Sequence, residues 1–339
     1  MTLMDSLGLR TDASFVFAVA FGVSLVAALL VTPLAIRKLR GAGIVGKDRQ
    51  KPGNPEVAEM GGIAVFLAFN AGAFLLLATW TPVGPVQASV LAALVVAAGA
   101  CITGIIDDLI PLRQRFKAII PFIFAAPFAM YVSDWTVTFP GLGFVDMGLL
   151  YPVVLVPLAI ACASNSFNML EGFNGLAAGM GLVIAAGLSV LAWLKGNLTG
   201  LVLLVPLMGA LAGFLVFNFY PAKVFPGDTM TLTVGAVLAL GAMLSKLEFW
   251  CLILFLPYIV EFMVKGLNGF PSKGWWGDYR EGRLHCPPNG PVGLAQWVMK
   301  VSNGISERGL VCLFMGVELV IGAAAVAAFL WIGRNGGIL

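Results

Sequence analysis

A chain of 339 residues that is 60% hydrophobic and only 11% charged carries too little charge to be a soluble domain; it is a polytopic membrane protein. The net charge of +3 is small, its placement matters more than its size, and no nucleic-acid partner is expected. The single histidine, His285, excludes mechanisms that need a histidine cluster. Five scattered cysteines with no Cys-x-x-Cys argue against a disulfide framework or a zinc site.

The first apolar run, about 15–36, is too long for a signal-peptide core and is followed, not preceded, by basic residues. It reads as a retained span with its N-terminus outside. Further spans are predicted over about 60–80, 86–106, 116–132, 149–170, 176–194, 201–219, 229–247, 249–269 and 309–333, that at 116–132 being short. The expected fold is therefore all-α, with about ten transmembrane helices in one domain, 1–339, and no internal repeat. Residues 135–148 alternate around Pro-Gly-Leu-Gly and predict a small external β-hairpin. Gly175/Gly179 and Gly209/Gly213 have the small-xxx-small spacing of close helix packing.

Ten spans put the loops 37–59, 107–115, 171–175, 220–228 and 270–308 on one side. Counting to the nearest helix ends, all but four of the 20 Lys and Arg fall there, the exceptions being Arg10, Lys195, Lys246 and Arg334. The positive-inside rule makes that side cytoplasmic and leaves both termini outside.

The unusual polar residues gather at the same boundary. Asp107-Asp108 ends the third span. Asn165, Asn168, Glu171 and Asn174 follow at three-residue spacing, and Asp228 opens the eighth span within Asn218–Thr229. Lys47, Asp48, Lys51, Glu56 and Glu59 lie in the first cytoplasmic loop. An Asp at a membrane helix mouth is a functional candidate by default, although a plain helix N-cap is the competing reading. The asparagines have their own alternative, as hydrogen-bonding links between helices. Glu261 and Lys265, spaced i, i+4, are expected to pair or to reach the interface, and Arg37, Lys38 and Arg40 to set topology or touch anionic lipid. Carboxylates and amide oxygens without a His or Cys cluster are hard ligands suited to Mg²⁺ or Mn²⁺, whose remaining ligands are commonly substrate phosphates. The residues point to metal-assisted transfer of a phosphate-linked group at the inner membrane face, with a lipid acceptor. A secondary transporter is the alternative of a different class.

The motifs resemble those of the polyprenyl-phosphate N-acetylhexosamine-1-phosphate transferases. They run in that family's order: Lys51-Pro52 with Glu59-Met60-Gly61-Gly62, then Gly104-x-x-Asp107-Asp108, then Asn165-x-x-Asn168-x-x-x-Gly172-x-x-Gly175, then Asn218-x-x-Pro221 with Val224-Phe225-x-Gly227-Asp228. The resemblance implies a UDP-sugar donor, a polyprenyl or dolichyl phosphate acceptor and release of UMP. It implies Mg²⁺ (or Mn²⁺) on Asp228 and Asn168, catalytic Asp107, Asp108 and Asp228, and a lipid phosphate near Lys117, Asp107, Asp108 and Lys51. Asn174, in Gly-Phe-Asn-Gly-Leu, is similar to the uracil-reading Asn of the GlcNAc-transferring eukaryotic and archaeal branch, and Glu59 to an acidic residue near the sugar. Asn165 and Glu171 are grouped with the nucleotide sugar. The last loop departs from the family's Arg-His-Arg or His-x-His, leaving Arg283 and His285 as candidate pyrophosphate and sugar contacts. GlcNAc 1-phosphate is the expected cargo, with another UDP-N-acetylhexosamine or UDP-MurNAc-pentapeptide as alternative donors. A phosphate monoester, with a second pKa of about 6, needs little base assistance. Direct displacement is therefore favoured over a covalent intermediate on Asp107 or Asp108. A prokaryotic plasma membrane and a homodimer complete the expectations.

Overall fold

The computed structural model describes residues 12–271 and 274–338; Arg10 and Lys273, two of the charges weighed above, lie outside the described residues. Helix α1, Ala13–Gly41, starts at Asp12, whose carboxylate accepts from Ser14 N at 3.3 Å. It ends with Lys38 and Arg40 in its last turn, where cations meet unpaired carbonyls. A short hairpin follows, β1 (Val45–Lys47) against β2 (Glu56–Ala58). Then come α2 (Gly62–Thr79), α3 (Pro85–Leu109), α4 (Gln114–Phe124) and α5 (Ala126–Tyr131). Strands β3 (Thr136–Phe139) and β4 (Gly143–Asp146) form the predicted hairpin. A π turn over Tyr151–Leu155 leads into α6 (Val156–Met169), followed by α7 (Leu176–Lys195), α8 (Leu201–Asn218) and α9 (Gly227–Leu244). The remainder is α10 (Glu248–Leu254), α11 (Leu256–Leu267), the hairpin β5 (Asp278–Arg280) and β6 (Arg283–His285), α12 (Leu294–Val301) and α13 (Glu307–Arg334).

Among the described residues, 8 helices are long and apolar enough to cross a membrane, and α10 with α11 makes a ninth if the bent pair is one span. The span expected over 249–269 is therefore two helical pieces bent by 62°. Pro257, near the start of α11, cannot donate back to the preceding turn and its ring crowds that turn's carbonyl. The short span expected over 116–132 is likewise two helices, broken at Ala125 between Pro121 and Pro127. This pair nevertheless runs the length of α3: Lys117 reaches Asp107 at one end, and Ser89 Oγ donates to the Tyr131 carbonyl at 2.9 Å at the other.

Helix α9 is the central post. Its span is 89% buried, against 33% for α1 and α13, and it packs on α2, α3, α6, α7 and α8. With lipid outside, such packing depends on close van der Waals fit rather than on exclusion of water. Gly209 and Gly213 do serve as a seam: a Cβ at Gly213 would lie 2.7 Å from Ala28 Cβ on α1. Gly175 does not, because it caps α7 in a left-handed conformation (φ 89°), and only Gly179 faces α13. Eighteen residues at 1.5 Å each make α9 about 27 Å long, roughly one hydrocarbon thickness. Asp228 stands at one end. Just past the other, Lys246 Nζ donates to the carbonyls of Asp134 (2.6 Å) and Thr136 (3.0 Å), pinning the β3–β4 hairpin to the far face.

Candidate active site

Three helix ends meet at Asp228. Gly227 takes φ 68°, which opens α9 immediately after Pro226, and Pro226 has no side chain to cap the helix. The cap comes from another helix. Asp108, at the end of α3, accepts from Asp228 N (2.7 Å), Thr229 N (3.0 Å) and Thr229 Oγ1 (2.6 Å). Gly104, one turn earlier on α3, makes this approach possible, since a Cβ there would fall on the Thr229 backbone. The N-cap reading considered for Asp228 thus describes Asp108 instead.

The Asp228 side chain is released for other work. Lys117 Nζ binds its Oδ2 and also pairs with Asp107 Oδ2 at 2.6 Å, while Asp107 Oδ1 accepts from Leu112 N at 2.6 Å. Asn168, one residue before the end of α6, donates through Nδ2 to Asp228 Oδ1 and to Thr231 Oγ1 (2.8 Å). Asp107, Asp108, Lys117, Asn168 and Asp228 are therefore brought together as expected, with Thr231 added. Thr231 carried no signal in the sequence beyond its place one turn after Asp228.

Glu171 and Glu59 border this cluster. Glu171 Oε2 is buried with no hydrogen-bond partner among the described residues. Burial, and then the charges of Asp228 and Asp108, push its carboxyl well above the usual carboxylate range. Glu59 lies over Gly46, whose added Cβ would be 3.1 Å from Glu59 Oε2 and 3.2 Å from the Phe225 ring. Burial first and Asp108 second raise its pKa as well. The strand-like stretch before α9 is strapped to this loop by Phe225 N to Ala58 O (2.7 Å), Gly61 N to Phe225 O (2.8 Å) and Gly62 N to Pro226 O (2.8 Å).

A second cluster sits beside the first. Asn174 is buried; its Oδ1 accepts from Lys51 Nζ (2.6 Å) and Ala222 N (2.7 Å), and its N donates to Glu307 Oε1 (2.7 Å). Lys51 also pairs with Asp48 and with Glu307 Oε2 at 3.3 Å. Lys51, expected at the lipid phosphate, shares no partner with Lys117 among the described residues and bonds to Asn174 instead. Of this cluster Glu307 lines a cavity of about 270 Å³, together with Gln50, Tyr220, Tyr279, Leu284 and Arg308. Gln50 Oε1 is buried without a partner among the described residues, while Gln50 Nε2 donates to Gly172 O at 2.8 Å. Glu307 and Gln50 had no sequence signal, because their roles arise from contacts across the chain.

The asparagine ladder does not survive as a ladder. Helix α6 ends at Met169, so only Asn165 and Asn168 share it, and Asn165 Nδ2 turns back to Ala161 O (2.8 Å) rather than towards Asp228. Arg283 and His285 flank Leu284 on β6; Arg283 is exposed and the His285 ring packs on Gly304. Neither hydrogen-bonds to either cluster among the described residues. Backbone bonds of Leu284 to Ile305 (2.8 and 3.1 Å) fix that hairpin to the approach to α13.

No group of three or more His, Cys, Asp or Glu with metal-site geometry occurs among the described residues. The donor set nonetheless suits a hard divalent cation with substrate ligands: the Asp228 carboxylate, the Asn168 Oδ1 left over by its own Nδ2 bonds, and the orphaned Glu171 Oε2.

A family described as glycosyl transferase family 4 matches residues 90–246. The chain is 32% identical to a Saccharolobus solfataricus protein named, provisionally, a UDP-N-acetylglucosamine–dolichyl-phosphate N-acetylglucosaminephosphotransferase, over 90% of this chain and 94% of that one. A Sulfolobus acidocaldarius protein of the same provisional name is 33% identical over 90% and 93%. A phospho-N-acetylmuramoyl-pentapeptide-transferase of Shouchella clausii is 31% identical over 70% and 78%.

Proposed function

The chain belongs to glycosyl transferase family 4, and from that premise we propose that it transfers GlcNAc 1-phosphate from UDP-GlcNAc to a dolichyl or polyprenyl phosphate, releasing UMP. The observation that carries the reading is the convergence of Asp107, Lys117, Asn168 and Asp228 at one end of the central helix. The archaeal relatives, aligned over 90% of the chain, favour a GlcNAc donor over the muramoyl-pentapeptide donor in the bacterial relative's name. A transporter would need carboxylates near mid-span, and these lie at helix ends. With the site on the lysine- and arginine-rich side, the reaction faces the cytoplasm and both termini face out.

Lys117, held charged between two carboxylates, is placed to receive the acceptor's phosphate. Asp107 orients that ammonium and Asp108 fixes the first turn of α9, and with it Asp228. Because both oxygens of Asp107 and of Asp108 are already hydrogen-bonded, attack by the acceptor phosphate itself is favoured over a carboxylate nucleophile. Mg²⁺ or Mn²⁺ on Asp228 and Asn168, when bound, would neutralise charge developing on the pyrophosphate. The cavity lined by Gln50 and Glu307 is offered to the nucleotide, with Asn174 and Lys51 joined to it through Glu307. The exposed apolar faces of α4 (Phe116, Ile119, Ile123) and α11 (Phe262, Met263) flank the cluster on the side of the membrane, as a lipid acceptor requires.

The test is transfer of radiolabel from a panel of UDP-sugars to a polyprenyl phosphate in detergent, with UMP measured. Stoichiometric UMP and labelled lipid from UDP-GlcNAc are expected. Uptake of a solute into proteoliposomes without UMP release would refute the reading.

A further inference from the structure

Asn168 owes its position to the last turn of α6, and the backbone does little to hold that turn. Leu170 leaves the helix at φ −97°, ψ 41°, and among the described residues no backbone N–H from 170–173 closes it. A side chain from α11 does so instead: Lys265 Nζ donates to the Met169 carbonyl and pairs with Glu261 Oε1 at 3.0 Å. Both residues are buried, and Glu261 Oε2 accepts from Leu294 N at 2.6 Å, at the start of α12. An ion pair taken out of water gains little for stability that apolar residues of similar size would not supply. Its directional bonds are what an apolar pair lacks, and a cation at a helix C-terminus is well placed to hold the turn.

We infer that Lys265, oriented by Glu261, is a positioning residue that keeps the end of α6 wound and so holds Asn168 against Asp228. The inference rests on the reading of Asp228 and Asn168 as donors to a divalent cation. It also makes α11 a strut between the last loop, through α12, and the carboxylate cluster, through α6.

The test uses the purified full-length protein and Mn²⁺, with free Mn²⁺ followed directly by electron paramagnetic resonance alongside turnover. Lys265→Met should weaken Mn²⁺ binding by about 10–100-fold, the usual cost of losing a group that orients a ligand, and should lower kcat more than it raises KM for UDP-GlcNAc. Lys265→Arg can still donate to the Met169 carbonyl and should recover most of the binding. If Lys265→Met does not fold, the double variant Glu261→Gln/Lys265→Met, which leaves no orphaned charge, should show the same weakening. Mn²⁺ binding unchanged in a folded Lys265→Met or double variant, or a loss in Lys265→Arg as deep as in Lys265→Met, would overturn the positioning role alone. A wild-type protein that binds no Mn²⁺ would overturn the cation reading beneath it.

Discussion

Replacing Asp108 separates chemistry from architecture at this site. Its carboxylate takes three hydrogen bonds from the first turn of α9, two of them from backbone N–H groups that have no other acceptor among the described residues. Hydrogen bonds to a charged group contribute roughly 1.5–3 kcal/mol each, and loss of a helix cap costs about 0.5–2 kcal/mol. Water entering the vacated space would recover part of that, so Asp108→Ala should cost about 3–5 kcal/mol in all. Asp108→Asn keeps one carbonyl oxygen to accept from the helix and should cost about 1–2 kcal/mol. Turnover should follow the same order, with Asp108→Asn within about 100-fold of wild type, as for a group that orients rather than reacts. Removing a true nucleophile costs about 10⁴–10⁶-fold. Thermal unfolding and UMP release, measured on the same purified variants, decide between them. An Asp108→Asn protein with wild-type unfolding temperature and no measurable turnover would refute the capping argument and make Asp108 a participant in the chemistry.

Other outcomes follow from the neighbouring residues. Asp228→Asn should abolish turnover and remove the Mg²⁺-dependent rise in unfolding temperature expected for wild type, since only a bound cation stabilises by mass action. Asn174→Ala should raise KM for UDP-GlcNAc more than it lowers kcat, by roughly 1–3 kcal/mol in binding, because Ala222 N and Lys51 lose an acceptor remote from the transferring group. Glu171 holds its proton in the folded state to higher pH than in the unfolded one, so without divalent cation stability should fall as pH rises above the ordinary carboxylate range and level off above its folded pKa. Glu171→Gln should flatten that decline, and an unaltered pH profile would count against the buried, crowded carboxyl. In a background lacking Cys286, an impermeant thiol reagent on intact cells should label Leu142→Cys and spare Asn289→Cys; the reverse would invert the topology.

The spans were legible because twenty-residue apolar runs have one stable solution in lipid, and α7, α8 and α13 match their predicted limits within two residues. The gathering of Asp107, Asn168 and Asp228 at one face was legible from span counting alone, whereas Lys117 came only with the family resemblance. What Asp108 does was not, since a cap supplied by another helix leaves no local pattern in α9. The partners of Lys51 were hidden for a similar reason: Asn174 and Glu307 are 123 and 256 residues away. The bend before α11 did have a signal, Pro257 inside an apolar run, which a count of span lengths passes over. The hairpins β1–β2 and β5–β6 escaped because three-residue strands are too short to show an alternation.

The close seating of α9 has a consequence for how the enzyme moves. Added Cβ atoms at Gly104 and Gly62 would strike the backbone of Thr229 and Met230, so the first turn of α9 is gripped on two sides by neighbouring main chain. Gripped in this way, it cannot slide or rotate without breaking the α2 and α3 contacts together. Asp228 is therefore a fixed floor, and induced fit must be one-sided. Accommodation of donors of different size falls to the parts of the site outside that turn.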